Sequence, residues 1–191
     1  MLLVEIIAAI WLGYNVWRVA NSNRNAIEVV ALATAACPRK FSYDTYLKIR
    51  EYYLELSRAH KKYEVDAVSS GGGDVIDVWE KAGFQFVKHR YRLVDNVPQK
   101  RMLLVSEQSE VTVFGIFRSR TRSEAEFRFS DASGNATSLG LTIRIVFPNK
   151  IRQLLARLFF TEFIWQAHAR EEMAALAQLM QKRYSSSKVF P

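Results

Sequence analysis

The last third of this chain constrains its fold most, because two alternating segments separated by a turn lead directly into a long helical segment. In residues 124–129 and 139–145, charged, polar or small residues alternate with apolar ones, and residues 131–135 have turn composition. After Pro148, apolar residues recur at helical spacing up to Met180. The sequence therefore predicts a β-hairpin followed by one long amphipathic helix. A curved antiparallel sheet closed by such a helix encloses a cavity.

Composition and charge narrow the class of protein. The chain has 191 residues, of which 49% are hydrophobic, enough for one domain with a core and a modest appendage. Lys and Arg number 27 against 19 Asp and Glu, so the net charge of +8 favours an anionic surface: phospholipid headgroups, nucleic acid or an acidic partner. The single cysteine, Cys37, excludes an intrachain disulfide and is expected to be a buried structural thiol.

Residues 1–20 form a separate apolar segment, close to the length that crosses a bilayer. Its basic residues, Arg18 and Arg24, follow the apolar run, which predicts an uncleaved transmembrane anchor with its start outside and the main domain on the cytoplasmic side. Glu5 opposes this interpretation, since a carboxylate is costly in lipid. The alternative is an amphipathic helix packed on the protein's own surface or on a partner. The expected anchor positions are Leu3, Ile7, Ile10, Trp11, Tyr14 and Trp17.

Between the two ends, the sequence predicts a polar linker, one strand, short helices and a run of antiparallel strands. Residues 21–25 are the linker, residues 27–36 the first strand, and residues 42–58 one or two short helices. The glycines at 71–73 lack the Lys-Ser/Thr of a phosphate-binding loop and are expected to form a flexible turn. The remaining predicted strands are residues 63–69, 75–81, 84–95, 101–106 and 111–118.

This order of elements resembles the superfamily of helix-grip proteins that includes the START lipid-transfer domains, the polyketide cyclases and the coenzyme Q-binding proteins. Residues 27–31, followed by Pro38 and residues 43–47, resemble the first strand and first helix of the family. Residues 134–139, leading into a helix with Leu154, Leu155 and Arg157, resemble its last strand and helix. The resemblance covers about residues 25–183.

The resemblance implies an α+β fold in which about seven antiparallel strands curl around the C-terminal helix. The helix-grip domain is then expected over residues 26–184, with a tail at 185–191. It also implies that a lipophilic ligand, such as a lipid, quinone or isoprenoid, lies between the concave face of the sheet and the helix. No other cofactor is predicted.

Strand alternation identifies the residues that should face this cavity. An apolar inner face also describes a solid core, so a filled interior is the alternative to a ligand-holding one. The expected cavity residues are His89, Tyr91, Leu93, Phe127, Phe129, Leu141 and Ile143 from the strands, with Leu158 and Trp165 from the helix.

The sequence carries little sign of catalysis. His89 and Tyr91 are the only acid–base pair that alternation turns inward, and a partly buried histidine with a hydrogen bond within the sheet is the favoured interpretation of His89. His168 lies four residues before Glu172, which predicts a pair on a helix surface. His60 stands among basic residues and is expected to be solvated. No metal site and no enzymatic activity are therefore predicted.

A set of basic side chains is expected on the outward face of the sheet, where it would hold the domain against an anionic leaflet. Nucleic acid is disfavoured because no exposed aromatics are interleaved with these charges. Two functions remain: a membrane-anchored module that binds or presents a hydrophobic ligand, and an accessory subunit of a membrane complex that docks through its helix and basic face. The expected basic face comprises Lys88, Arg90, Arg92, Arg101 and Arg118.

Overall fold

The computed structural model describes residues 2–66 and 74–189, with side chains up to residue 187, so the predicted glycine turn at 71–73 lies outside the described residues. Helices flank a single antiparallel sheet. In chain order the elements are α1 (Leu2–Ala20), β1 (Ala26–Ala35), α2 (Arg39–Tyr46), a 3-10 turn (Ile49–Glu51), α3 (Tyr53–Leu56), β2 (His60–Asp66), β3 (Val75–Ala82), β4 (Gln85–Val97), β5 (Arg101–Val113), β6 (Phe117–Ala132), β7 (Ala136–Val146), α4 (Lys150–Leu158) and α5 (Thr161–Val189).

The sheet has seven strands in the order β1-β7-β6-β5-β4-β3-β2, and every neighbouring pair is antiparallel. Strands β2 to β7 form a meander, and β1 lies at the far edge beside the last strand. Helix α5 packs against β1 and β7 near one edge and against β3 near the other. Because one helix reaches both sides, the sheet must curl around it. This is the predicted helix-grip arrangement.

The predicted hairpin is formed by β6 and β7. Its turn places Gly134 and Asn135 at φ values of 71° and 59°, a left-handed conformation that glycine and asparagine accept most readily. In the register of the two strands, Phe127 lies opposite Leu141, and both are buried on the concave face. The alternation seen in the sequence therefore sets which face of the hairpin meets the core.

The long helix predicted from residue 151 onward is in fact two helices. Asn149 caps the N-terminus of α4, because its side chain accepts a hydrogen bond from the backbone N–H of Arg152. The helical segment is interrupted at Phe160, whose φ is 57°. The break is held from the sheet by the buried Gln85. Its amide nitrogen donates to the carbonyl of Phe159 at 2.8 Å and contacts the Thr161 hydroxyl at 3.0 Å. The hydrogen bond from Gln85 on β4 thus satisfies the carbonyl of Phe159, a backbone group that a continuous helix would pair internally.

Helix α5 is apolar on several sides because it has neighbours on several sides. Trp165 faces inward, and its indole N–H donates to the Gln85 amide oxygen at 2.9 Å. On another side, the ring of Phe163 lies 5.7 Å from that of Trp11 on α1. The helix runs on to Val189 and so includes residues 185–189, which the sequence assigned to a tail.

The outer edge of the sheet is covered by a side chain of α5. Gln166 donates from its amide nitrogen to the carbonyl of Val30 at 2.6 Å and accepts from the Val30 N–H at 3.2 Å. Val30 lies on β1, the edge strand, so the glutamine amide takes the place that the next strand would occupy.

Among the described residues, helix α1 contacts the rest of the domain through its C-terminal half. The ring of Trp11 stacks on that of Phe160 at 5.0 Å, Arg18 forms an ion pair with Glu162 at 2.8 Å, and Asn15 is buried. The other large apolar side chains of α1 are mostly exposed. By length and composition this one helix of the described chain is sufficient to cross a membrane.

Candidate functional site

A cavity lies between the concave face of the sheet and α5. Its wall is mostly aromatic and aliphatic, with Glu80, His89, Tyr91 and Glu172 as polar members. The free volume is about 50 Å³. Ligand pockets usually measure about 300–1,000 Å³, so in this conformation the core side chains occupy most of the interior.

Six of the nine residues predicted to face a ligand line this cavity, and whether they contact a ligand stays a prediction. Most of the lining is buried, and its half-buried members are Tyr63, Ile76, Leu104 and Ile143. The six predicted residues are His89, Tyr91, Phe127, Leu141, Ile143 and Trp165.

Three predicted cavity residues lie elsewhere. Leu93 is 44% exposed, because the register of β4 against β5 shifts at a bulge beside it and its burial alternation ends at Tyr91. Phe129 does point inward, but its ring packs against Tyr43 and Tyr46 of α2, outside the cavity. Leu158 is half-buried at the end of α4, because the helix breaks before the segment that covers the cavity.

His89 and Tyr91 are adjacent on the polar side of the cavity. Nδ1 of His89 lies 2.8 Å from the Ser109 hydroxyl on β5, and the two rings of the pair stack at 4.7 Å. Burial lowers the pKa of His89 to about 3, so its imidazole is neutral at physiological pH. Burial, together with the Glu80 and Glu172 carboxylates, raises the pKa of Tyr91 well above its ordinary value. Both groups therefore act here as neutral hydrogen-bonding groups.

The structure also brings together a buried cluster that sequence reasoning missed. Its members are His60 from β2, Glu80 from β3, and His168 and Glu172 from α5, and each is more than nine-tenths buried. One potential ligand atom from each residue lies within 4.8 Å of the others. Two of the residues, Glu80 and Glu172, also line the cavity.

The pKa values of Glu80 and His60 depend on their neighbours in this cluster. Burial raises the pKa of Glu80, and the neighbouring Glu172 raises it further, while the two histidines oppose the shift. Burial lowers the pKa of His60, but the Glu172 and Glu80 carboxylates outweigh it and the net direction is upward. A positively charged group or ligand beside the two carboxylates is therefore favoured inside the cluster.

The expectations that His60 is solvated and that His168 forms a surface pair are wrong. His60 opens β2 with its ring stacked on Tyr53 at 3.8 Å, while the basic residues beside it face outward. His168 does lie near Glu172, at 4.0 Å, but on the face of α5 that packs on the sheet. The spacing of the helical pair was visible in the sequence. The contact of this pair with His60 and Glu80 depends on the topology of the strands, which local periodicity does not encode.

The predicted basic face is only partly a free positive surface. Lys88 lies over the ring of Trp79 at 4.7 Å, Arg90 is 3.9 Å from Asp77, and Arg101 pairs with Asp95. Arg92 and Arg118 are exposed, and no carboxylate within the described residues forms an ion pair with either of them. Only part of the predicted basic face therefore presents positive charge that is not paired with a carboxylate.

No protein-family model and no curated protein matches this sequence. Among solved structures, the chain is similar to the Zhui aromatase/cyclase from Streptomyces sp. R1128, with a TM-score of 0.54 and 14% identity over 83% of this chain and 96% of that one. A protein from Thermus thermophilus gives 0.55 and 15% over 82% and 98%. A START superfamily protein from Mycobacterium smegmatis gives 0.50 and 11% over 75% and 97%.

These similarities agree with the strand order and the long C-terminal helix. The chain has the helix-grip fold of the START and aromatase/cyclase proteins, as the sequence resemblance implied. At identities of 11–15% the likeness shows the fold alone.

Proposed function

We propose that the protein is a membrane-anchored helix-grip module that takes a hydrophobic molecule from the bilayer and presents it at the cytoplasmic surface. The observation that carries this proposal is the cavity beneath α5, whose apolar wall suits a hydrophobic ligand and whose histidine and tyrosine orient it. A ligand of lipid or quinone size exceeds the free volume of about 50 Å³. Binding therefore requires the half-buried side chains at the cavity surface to move outward.

The surface beside α1 supports a position against the membrane. Exposed apolar side chains lie on the β5–β6 turn, at the start of β6, on α4 and around the break before α5, where Phe160 and Phe163 contact Trp11 of α1. Arg118, at the start of β6, is also exposed. Such a patch lies beside the exposed anchor helix, so both meet the same bilayer when α1 spans it. The apolar members are Phe114, Ile116, Phe117, Ile151, Leu155, Phe160 and Phe163.

The same patch favours a second candidate function. An accessory subunit of a membrane complex would bury these aromatic side chains against a partner and would need no ligand. The small free volume of the cavity is consistent with that function too.

Extraction of lipids from the full-length chain distinguishes the two. The protein is purified in mild detergent, its bound molecules are identified by mass spectrometry, and its size is read on a native gel. We expect one hydrophobic molecule per chain. Protein that is empty and migrates only within a large assembly would instead support the accessory subunit.

A matched pair of variants locates the ligand. Ala125 lines the cavity, whereas Ala31 is equally enclosed on β1 but is outside the lining. Ala125→Leu should exclude the ligand, and Ala31→Leu, which adds the same volume, should retain it. Equal occupancy in both variants would place the ligand outside this cavity.

A further inference from the structure

We propose that His60, Glu80, His168 and Glu172 bind one divalent transition-metal ion, with Zn²⁺ the best match to the donor set. Two imidazoles and two carboxylates are common ligands of such ions, and a dication balances the two buried negative charges. The site is assigned from this cluster alone and goes beyond the hydrophobic ligand proposed above.

The spacing of the donor atoms fits a central ion. Nε2 of His60 lies 3.9 Å from both Glu80 Oε1 and Glu172 Oε2, and Nε2 of His168 lies 3.7 Å from Glu80 Oε2 and 4.0 Å from Glu172 Oε2. Glu80 offers Oε1 to His60 and Oε2 to His168, so these distances join five atoms, and one ligand atom from each residue lies within 4.8 Å of the others. A regular tetrahedron with edges of about 3.9 Å has its centre about 2.4 Å from each corner, against about 2.0–2.2 Å for Zn²⁺ with these ligands. A contraction of a few tenths of an ångström completes the coordination.

The same distances argue against a simple set of ion pairs. A charge-assisted N–H···O bond measures about 2.7–2.9 Å, roughly 1 Å shorter than the separations between these histidines and carboxylates. Nε2 of His60 and both ring nitrogens of His168 are buried without a hydrogen-bond partner. A buried nitrogen with no partner carries a large free-energy cost, which a metal ion bound to Nε2 of each ring would reduce.

Neighbouring groups orient two of the four ligands. Nδ1 of His60 lies 2.6 Å from the backbone carbonyl of Tyr53, so Nδ1 carries the proton and Nε2 offers its lone pair to the cluster. The hydroxyl of Tyr53 donates to Glu80 Oε1. Outer hydrogen bonds of this kind, to a histidine and to a carboxylate, are the usual support of protein metal sites.

The cavity leaves room on one side of the site. Glu80 and Glu172 border the free volume of about 50 Å³, which is enough for one or a few water molecules. With four protein ligands the tetrahedral coordination is closed, and this free volume borders the carboxylate side of the site.

The experiment uses the full-length chain in mild detergent, stripped of metal with a chelator and then dialysed. We expect calorimetric titration with Zn²⁺ to give one site per chain, and Co²⁺ to give the visible absorption of a tetrahedral complex. Thermal midpoints should rise with added Zn²⁺. No stoichiometric binding, or a Co²⁺ spectrum typical of six-coordinate surface sites, would overturn the proposal.

Variants assign the ligands. Glu172→Gln and His168→Gln should each weaken Zn²⁺ binding by at least tenfold and remove the Zn²⁺-dependent rise in the thermal midpoint. Glu171→Gln is the control, because it makes the same change at the neighbouring residue of α5, which is exposed and outside the cluster, and it should leave Zn²⁺ binding unchanged. Unaltered affinity in both cluster variants would refute the assignment. The wild-type Co²⁺ spectrum decides the question if a variant does not fold, and it decides it independently of lipid content.

Discussion

Replacing His89 with glutamine should flatten the dependence of stability on pH. His89 is buried on β4, and burial lowers its pKa from the ordinary 6.5 to about 3. Between these two values the unfolded chain binds a proton at His89 and the folded chain does not. The stabilisation is therefore complete above pH 6.5 and is lost progressively as the pH falls from 6.5 towards 3.

The magnitude follows from the size of this shift. Each pH unit within the window changes the free energy of unfolding by about 1.4 kcal/mol. Between pH 7 and pH 5, wild type should thus lose about 2 kcal/mol more than His89→Gln, since glutamine does not titrate. All other titratable groups are common to both proteins, so their contributions cancel in the difference.

Urea denaturation at pH 7, 6 and 5 in a fixed detergent, followed by tryptophan fluorescence, measures this difference. Ser109→Ala is the control: it removes the hydrogen-bond partner of His89 at 2.8 Å but leaves the imidazole buried, so it should lower stability and keep most of the pH dependence. Parallel free-energy curves for wild type and His89→Gln would refute the reasoning, because they would mean that His89 titrates alike in both states.

Three other changes and one labelling experiment have definite expected results. Leu141→Ala removes a side chain that is 1% exposed and should cost about 3 kcal/mol in urea denaturation; a loss below about 1 kcal/mol would contradict close packing. Glu162→Gln leaves the buried Arg157 without its carboxylate and should cost about 1–2 kcal/mol by the same assay, whereas no change would show that water satisfies the guanidinium. Deleting residues 1–20 should move the domain to the soluble fraction on centrifugation, and continued sedimentation with membranes would assign the attachment to the domain surface. Cys37 is fully buried, so a thiol reagent should label it no faster than the protein unfolds, and immediate labelling would refute that burial.

The terminal hairpin and the helical character of the segment after it were predictable because each depends on local periodicity. The alternation on β6 and β7 fixes which side chains face inward, and glycine and asparagine at the turn fix the reversal. The position of Leu93 was not predictable in this way. A bulge alters strand register through pairing with a neighbour, and a single strand's pattern does not report on its partner.

The break at Phe160 and the histidine–glutamate cluster escaped prediction for the same physical reason. The break is held by Gln85, which comes from β4, and the cluster joins residues from two strands and one helix. His60 is surrounded in sequence by basic residues, which indicates exposure, yet its own ring lies on the inward side of β2. Contacts between residues so far apart in sequence follow from the topology of the fold. A sequence pattern therefore predicts the chemistry of each residue but not which residues come into contact.

The pairing of Gln166 with the backbone of Val30 affects whether two copies of the chain can associate through the β1 edge. An open β-strand edge recruits a second copy of a protein by backbone pairing, and this association increases with concentration. With the hydrogen-bonding groups of Val30 already occupied by an amide from α5, that edge presents no continuous ladder for a second copy to extend. The Gln166 side chain therefore blocks backbone pairing at Val30 and limits association through this edge of the sheet.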